Sequence, residues 1–189
     1  MSAKAAPTTA GLHFHRAFFK QQDDSQKKDA LLFLLLFAVF AGGAYLALGA
    51  TGTALNDLAA ASSVTALKAL GIGAAVVPNS PYPHIQGIVR GNAFEAEIND
   101  LCAGAIELAI LFGIVMASRD KTVRQRILGV LAGFAVFLVF NPLRIALTLS
   151  AVGSWVMPLL HDVLFRLSLL IVIVGFYAVW SYATPSKRF

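Results

Sequence analysis

The sequence contains few of the charged residues that cover the surface of soluble proteins. Charged residues make up 13% of its 189 residues, whereas hydrophobic residues make up 58%. A soluble globular domain carries about 25% charged residues. The composition therefore excludes an ordinary soluble domain and indicates a membrane protein, and the length indicates a single domain.

Cysteine is almost absent, and no cluster of potential metal ligands stands out. Cys102 is the only cysteine, so the chain cannot form an internal disulfide. The four histidines are scattered, and we predict neither a metal ion nor an organic cofactor. The net charge of +5 arises from short basic clusters between apolar runs. Such clusters are typical of membrane topology signals, and we therefore predict no nucleic-acid partner.

Four apolar runs are candidates for transmembrane helices surrounded by membrane lipid. A helix of about 20 apolar residues crosses the roughly 30 Å of a bilayer core. The first run is longer than the core of a signal peptide, which has about 7–15 residues, so we interpret it as an uncleaved anchor. We predict one transmembrane domain, residues 30–183, between tails at 1–29 and 184–189. The four predicted spans are residues 30–50, 101–118, 127–149 and 161–183.

Lysine and arginine residues are distributed unevenly among the segments that join these spans. Loops rich in these residues stay in the cytoplasm. Both tails and the loop between the second and third spans hold eleven of them, and the other two loops hold two. We therefore predict a plasma-membrane protein with cytoplasmic termini and with residues 51–100 and 150–160 outside. The eleven are Lys4, Arg16, Lys20, Lys27, Lys28, Arg119, Lys121, Arg124, Arg126, Lys187 and Arg188, and the two are Lys68 and Arg90.

Residues 52–77 are long enough for a fifth span, but they are rich in serine and threonine and include Asp57 and Lys68. A fifth span would also place the basic loop that follows residue 118 outside the cell. We therefore predict a helix that lies on the outer leaflet, with four leucines partly sharing its apolar side. These leucines are Leu55, Leu58, Leu67 and Leu70.

A small β-hairpin is predicted between this helix and the second span. Gly91 and Asn92 fit a two-residue turn. After the turn, Phe94, Ala96 and Ile98 alternate with two glutamates, as in a half-buried strand. The hairpin is either a small cap or a ledge along which an extended peptide lies. The predicted fold is an all-α polytopic membrane protein with four transmembrane helices, an outer interfacial helix and this hairpin.

Three polar residues fall at the same depth, just below the predicted outer surface. Cys102 opens the second span, Arg144 lies near the outer end of the third, and His161 opens the fourth. Each has an ordinary explanation alone, because a buried free cysteine is usually a small apolar residue and an arginine near a helix end reaches lipid head groups. Ionisable groups inside a membrane are costly unless they are used. Their common depth therefore indicates a functional site.

These residue types suit nucleophilic catalysis. A thiol reacts as its thiolate, and the N-terminus of a helix favours negative charge. Asn99 or Asp100 is positioned to cap the helix that contains Cys102. A neutral His161 would act as a base, and the planar guanidinium of Arg144 suits a developing oxyanion.

Three stretches resemble the signature regions of the exosortase/archaeosortase family of membrane cysteine transpeptidases. They are "EINDLCAGAIELAILFGIVMA", "FNPLRIALTLSAVG" and "LLHDVLF". The resemblance covers residues 85–180. Ala103 stands where the family usually has serine or threonine, and the glycine often found shortly after the histidine is replaced by residues 163–165. The residues that match the family's motifs, in chain order, are Cys102, Gly104, Asn141, Arg144 and His161.

The resemblance implies a sorting enzyme. Family members recognise an exported protein by a C-terminal signal that consists of a short motif, a transmembrane helix and a basic tail. The resemblance implies that Cys102 attacks the backbone near the motif, while His161 acts as base and then acid and Arg144 stabilises the intermediate. The thioester then passes to an amine or hydroxyl of an unidentified envelope acceptor. Some archaeal relatives carry a second arginine instead of the histidine, so Arg166 is an alternative to His161.

A second polar layer is predicted about 7.5 Å deeper in the membrane. Glu107 lies five residues below Cys102, and Arg166 lies five residues below His161. We predict an ion pair between Glu107 and Arg166, with Asn141 nearby, because an unpaired charge in a bilayer is costly. The alternative is that Arg166 binds a lipid phosphate and Glu107 is protonated.

The competing interpretation is a non-enzymatic four-helix membrane protein, such as an assembly partner or a transporter subunit, in which the polar residues are structural. A transporter needs a polar path across the whole bilayer. The ionisable residues of this chain crowd the outer half instead. The sequence therefore favours an enzyme that acts at the outer membrane face.

Overall fold

A computed structural model describes the backbone of residues 9–79, 81–160 and 165–186, and the side chains of residues 26–79, 81–160 and 167–186. This part of the chain is mostly helical, with one small antiparallel sheet. In chain order the elements are α1 (Thr9–Ala50), α2 (Ala54–Ala69), β1 (Ala74–Val77), β2 (His84–Val89), β3 (Asn92–Glu97), α3 (Asp100–Ala103), α4 (Ala105–Ala117), α5 (Val123–Ser150), α6 (Met157–Leu159) and α7 (Phe165–Ala183).

Among the described residues, two helical segments are long and apolar enough to cross a membrane. They are Gln26–Ala50 within α1 and the whole of α5, and they contain the first and third predicted spans. The predicted second span is shorter than expected, because a glycine separates α3 from the 13 residues of α4. The fourth corresponds to the apolar helix Leu167–Ala183, and its first four residues lie outside the described part. α1 begins at Thr9, so helix extends far into the predicted N-terminal tail.

The predicted hairpin is confirmed, but its turn lies one residue earlier than expected. Val89 pairs with Asn92, so Arg90 and Gly91 form the turn. Both have positive φ angles, 50° and 78°, which is the conformation that a two-residue hairpin requires. Asn92 was the wrong choice because a preference for turn residues does not fix strand register. A third strand, β1, pairs with β2 and was not predicted.

α2 ends earlier than the predicted interfacial helix and buries a different side. It ends at Ala69, and residues 74–77 form β1 instead. The four leucines do not share one side, since Leu58 and Leu70 are exposed whereas Leu67 is buried. α2 packs against α5 instead, because small residues let two helix backbones approach closely. The buried residues of α2 are Asn56, Ala59, Ala60, Ser63, Val64 and Leu67.

Glycines allow the apolar helices to pack closely. A Cβ on Gly113 of α4 would lie 2.7 Å from the Cβ of Ala41 on α1. A Cβ on Gly129 of α5 would lie 2.5 Å from Nε1 of Trp180 on α7. These contacts are of the small-residue type that drives helix association in membranes.

Lys121 links the loop between α4 and α5 to the end of α7. Its side chain is buried, and Nζ donates hydrogen bonds to the carbonyl oxygens of Ser181 (2.9 Å) and Thr184 (2.6 Å). Asp120 lies 3.2 Å from the same nitrogen. A cation at a helix C-terminus stabilises the last carbonyls. Lys121 is therefore more than the topology signal that its loop suggested.

One apolar core joins the sheet to the helices on the side of the molecule where α2 lies. Buried residues from α2, the sheet, α3 and α5 form this core, including Leu67, Ile85, Ala103 and Ala146. The partly buried Cys102 packs against it. The position of this cysteine therefore depends on the packing of α2, the sheet and α3 as a whole.

Candidate functional site

Cys102 lies on α3, a single helical turn that precedes α4. The side chain of Asn99 accepts a hydrogen bond from the backbone N–H of Cys102, at 3.2 Å. This confirms the predicted helix cap and identifies Asn99 as the capping residue. Cys102 was predicted to lie in the first turn of the apolar helix. It lies before that helix instead, because Gly104 interrupts the chain of helical residues with a left-handed φ of 76°.

Gly104 is required at this break for two reasons. A left-handed backbone conformation disfavours any residue that carries a Cβ. A Cβ at this position would also overlap the ring of Phe137 on α5, approaching Cε2 to 2.8 Å. The glycine that matches the family motif thus determines the angle at which the Cys102 turn meets α4.

Arg144 and Asn141 project from α5 toward this turn, and both side chains are buried. Nη2 of Arg144 donates to the carbonyl oxygen of Cys102 (3.1 Å) and to Oδ1 of Asn141 (2.8 Å). Nδ2 of Asn141 donates to the carbonyl oxygens of Cys102 (3.2 Å) and Ala103 (3.3 Å). The structure therefore brings three of the predicted site residues together, and α5 binds the end of α3 that carries the cysteine.

A polar contact that the sequence did not reveal fixes the other end of α3. The buried side chain of Asn56 on α2 donates to the Ile98 carbonyl oxygen and to Oδ1 of Asp100, both at 3.1 Å. Tyr82 donates to Oδ2 of Asp100 at 3.3 Å, and the charge of Asp100 raises the pKa of Tyr82. Asn56 was not recognised as a site residue from the sequence. A polar residue among small residues was its only signal.

A cavity of about 290 Å³ opens beside the thiol. One side is formed by β3 and Ile98, which leads to α3. Another part of the lining comes from the C-terminal part of α5. Cys102 is partly buried and lines this cavity. The lining residues are Phe94, Glu95, Ala96, Glu97, Ile98, Cys102, Arg144, Ile145, Thr148, Leu149, Val152 and Met157.

The surroundings of the thiol favour its protonated form. Cys102 is on α3, outside the apolar helices, and its partial burial raises the pKa of the thiol. A hydrogen bond from the backbone of Asn99 to the thiol group and the positive charge of Arg144 lower this pKa, so they oppose the effect of burial in part. Reaction at neutral pH therefore requires a base that removes the thiol proton.

The structure does not describe the side chains of the two residues predicted for the third catalytic role. His161 lies outside the described residues, and so does the side chain of Arg166. Oε2 of Glu107 on α4 is buried and makes no hydrogen bond within the described part of the chain. The predicted Glu107–Arg166 ion pair thus stays a prediction. Among the described side chains, no group of three histidine, cysteine or acidic residues is arranged to hold a metal ion.

Comparison with known proteins gives one clear similarity. A family model described as transmembrane exosortase (Exosortase_EpsH) matches residues 25–174. The match includes the apolar part of α1, the residues of α2 and the sheet, and the Cys102 and Arg144 motifs. Neither the curated proteins nor the solved structures contain a significant match.

Proposed function

Because the chain belongs to the transmembrane exosortase family, we propose that it is a membrane cysteine transpeptidase that processes the sorting signals of exported proteins. Its substrates carry a C-terminal motif, a transmembrane helix and a basic tail. One observation carries the proposal. Arg144 and Asn141 are both hydrogen-bonded to the backbone of the turn that presents the Cys102 thiol to a cavity.

The proposed reaction proceeds through a thioester. His161 accepts the proton of the Cys102 thiol, and the thiolate attacks the scissile carbonyl carbon. The carbon–nitrogen bond then breaks, and His161 returns the proton to the leaving amine, which departs with the transmembrane helix. An acceptor amine or hydroxyl attacks the thioester, loses its proton and regenerates the thiol.

Arg144 supplies positive charge at the point where negative charge develops. Its guanidinium is buried and tied to the Cys102 carbonyl and to Asn141. A donor held in a partly dry site stabilises an oxyanion without reorganising during the reaction. Asn141 positions Arg144 and the turn, so its role is to orient the reacting groups. Glu107 and Arg166 form a supporting ion pair beneath this layer.

The site faces the outside of the membrane in this proposal. The chain crosses four times, through α1, α4, α5 and α7, with both termini in the cytoplasm. Two features support this arrangement. The segment with α2, the sheet and α3 connects α1 to α4 on one side, whereas the basic α4–α5 loop, including Lys121, contacts the end of α7 on the other. The 13 residues of α4 cover about 20 Å, and the loop that follows α4 completes that crossing, so α3 and Cys102 lie outside the spanning segment.

Replacement of the thiol tests this function. Full-length chain is expressed with an exported protein from the same genome that carries a motif, a helix and a basic tail, tagged at both ends. We expect Cys102→Ala and Cys102→Ser to abolish release of the tail, and Arg144→Lys to slow it about 10²–10³-fold. Leu101→Ala is the matched control, because Leu101 lies on the same turn and is exposed. If the Cys102→Ala variant still released the tail, the proposed enzymatic function would be wrong and the non-enzymatic interpretation would remain.

A further inference from the structure

The sheet ends in a strand whose outer edge is not paired with any described segment. The strand order is β1-β2-β3, so β3 is an edge. Val89 and Asn92 close the two-residue hairpin and exchange hydrogen bonds, and every second pair does the same. The donation from the Ile98 N–H to the Pro83 carbonyl continues this alternation. The N–H and C=O groups that point away from β2 therefore belong to Ala93, Glu95 and Glu97.

This edge borders the cavity that the thiol lines. Residues 94–98 form one side of the cavity, and Ile145, Leu149 and Val152 form the other. Cys102 lies at the end toward which β3 runs, because only Ile98 and Asn99 separate β3 from α3. A chain added to the β3 edge would therefore pass between the sheet and α5 and reach the thiol. Exposed strand edges are templates for such pairing.

We propose that the exported substrate binds as a fourth strand on β3, in the cavity between β3 and α5. This inference rests on the proposed function, which requires the residues upstream of the cut to reach Cys102 before the substrate helix enters the membrane. The upstream segment runs parallel to β3, since β3 itself ends beside α3. Backbone hydrogen bonds supply affinity for any sequence in such a complex, and side-chain contacts supply the preference.

Charge sets part of that preference. The side chains of Glu95 and Glu97 project to the same face and are 54% and 46% exposed. His84 contacts both, at 2.7 Å from Glu95 and 3.9 Å from Glu97, and its hydrogen bond lowers the pKa of Glu95. Like charges on neighbouring strands repel. The bound segment is therefore basic or neutral on this face.

The single cysteine permits a test that does not require turnover. The probe is an acetylated hexapeptide of alternating lysine and valine with a C-terminal chloromethyl ketone. The Cys102 thiolate displaces chloride to form a thioether, and the thiol proton passes to the buffer. The rate at which the probe labels the full-length chain is divided by the rate at which iodoacetamide labels it, and the quotient is the rate ratio. Iodoacetamide cannot bind as a strand, so the ratio corrects for changes in thiol reactivity. Mass spectrometry of the intact protein gives both rates.

Two matched comparisons isolate strand pairing. N-methylation of either the lysine or the valine amides blocks one edge of the probe, and only one of the two series faces β3. Methylation of the amides that face β3 should lower the rate ratio about tenfold, because two or more hydrogen bonds are lost. Methylation of the other amides should leave the ratio within about twofold. In the chain, Glu95→Pro removes one outward N–H and leaves the β2 ladder intact. Glu95→Ala is its control.

Equal rate ratios for both methylated probes would overturn the proposal, and so would equal ratios for Glu95→Pro and Glu95→Ala. The first comparison uses the unaltered chain, so a folding defect in a variant does not affect it. A dimer that Glu95→Pro converts to a monomer, without a change in probe labelling, would assign the edge to a second copy of this chain and also overturn the proposal. Failure of strand binding is distinct from failure of the function, which the Cys102→Ala processing assay reports separately.

Charge preference is tested with the same chemistry. A probe with glutamate in place of lysine should label about three to ten times more slowly at low salt, and added salt should narrow the gap because it screens exposed charges. The double variant Glu95→Gln/Glu97→Gln should remove the difference. A glutamate probe that labels as fast as the lysine probe would contradict this part of the proposal.

Discussion

Replacement of Gly104 by alanine tests how the cysteine turn is held against α5. Gly104 ends α3 and precedes α4 with a φ of 76°. A residue with a Cβ in this conformation costs about 1–2 kcal/mol. The new methyl group must also displace the ring of Phe137, which is buried with Leu108 and Leu169. Overpacking of such a core costs about 1–3 kcal/mol.

The two costs together predict that Gly104→Ala lowers the free energy of unfolding by about 2–5 kcal/mol. A second substitution separates them. Phe137→Ala alone should cost about 3–5 kcal/mol, because it leaves a cavity. In the double variant the methyl group enters that cavity, so the sum of the single effects should exceed the double effect by about 1–3 kcal/mol.

The measurement is denaturant unfolding of the purified chain in detergent, followed by circular dichroism, for the parent, both single variants and the double variant. Iodoacetamide labelling of Cys102 in the native state reports whether the turn has moved. A loss below about 1 kcal/mol for Gly104→Ala would refute the backbone argument. Strict additivity of the two substitutions would refute the contact with Phe137.

Three further predictions concern the site and its support. Because burial raises the pKa of the Cys102 thiol, its iodoacetamide labelling rate should keep rising with pH beyond about 8.5, where a free cysteine begins to level off. Arg144→Gln should shift this profile to higher pH, since it removes a charge that favours the thiolate, and an unchanged profile would contradict that role. Lys121→Met should lower the free energy of unfolding by about 1–3 kcal/mol, because two carbonyls at the end of α7 lose their donor; unchanged detergent unfolding would show that those contacts are not stabilising. If Glu107 and Arg166 form an ion pair, Glu107→Gln and Arg166→Gln should each destabilise the chain, and the double variant should cost less than the sum; additive losses would exclude the pair.

The elements that could be predicted from the sequence are those for which residue spacing and residue chemistry indicate the same structure. Apolar length predicted the helices that contain the first and third spans, and alternation predicted the half-buried β3. The proximity of Cys102 and Arg144 followed from a motif at the start of one apolar run and another near the end of the next. Asn141 was expected in the deeper layer beside Glu107, and its hydrogen bonds to the Cys102 turn were not predicted. A cap by Asn99 or Asp100 was predicted because such side chains before a helix are common caps, and the structure identifies Asn99.

Other features could not be predicted, because several structures share the same local signal. A glycine within an apolar run gives no indication of whether the helix continues, so the break at Gly104 was missed. A lysine in a basic loop looks like a topology signal whether it is exposed or, like Lys121, buried. The buried side of α2 contains Asn56, two alanines and Ser63 beside Val64 and Leu67, whereas hydrophobic periodicity gives weight mainly to the leucines. β1, with four residues, is too short to give a pattern.

The hydrogen bonds of Asn56 have a consequence for protein engineering. They connect α2 to the residues on either side of Asn99, so α2, the sheet and α3 are interdependent. A chimera that takes only the cysteine-containing turn from another family member would lose partners on α2. Residues 54–104 should instead be exchanged as one cassette, together with the facing part of α5.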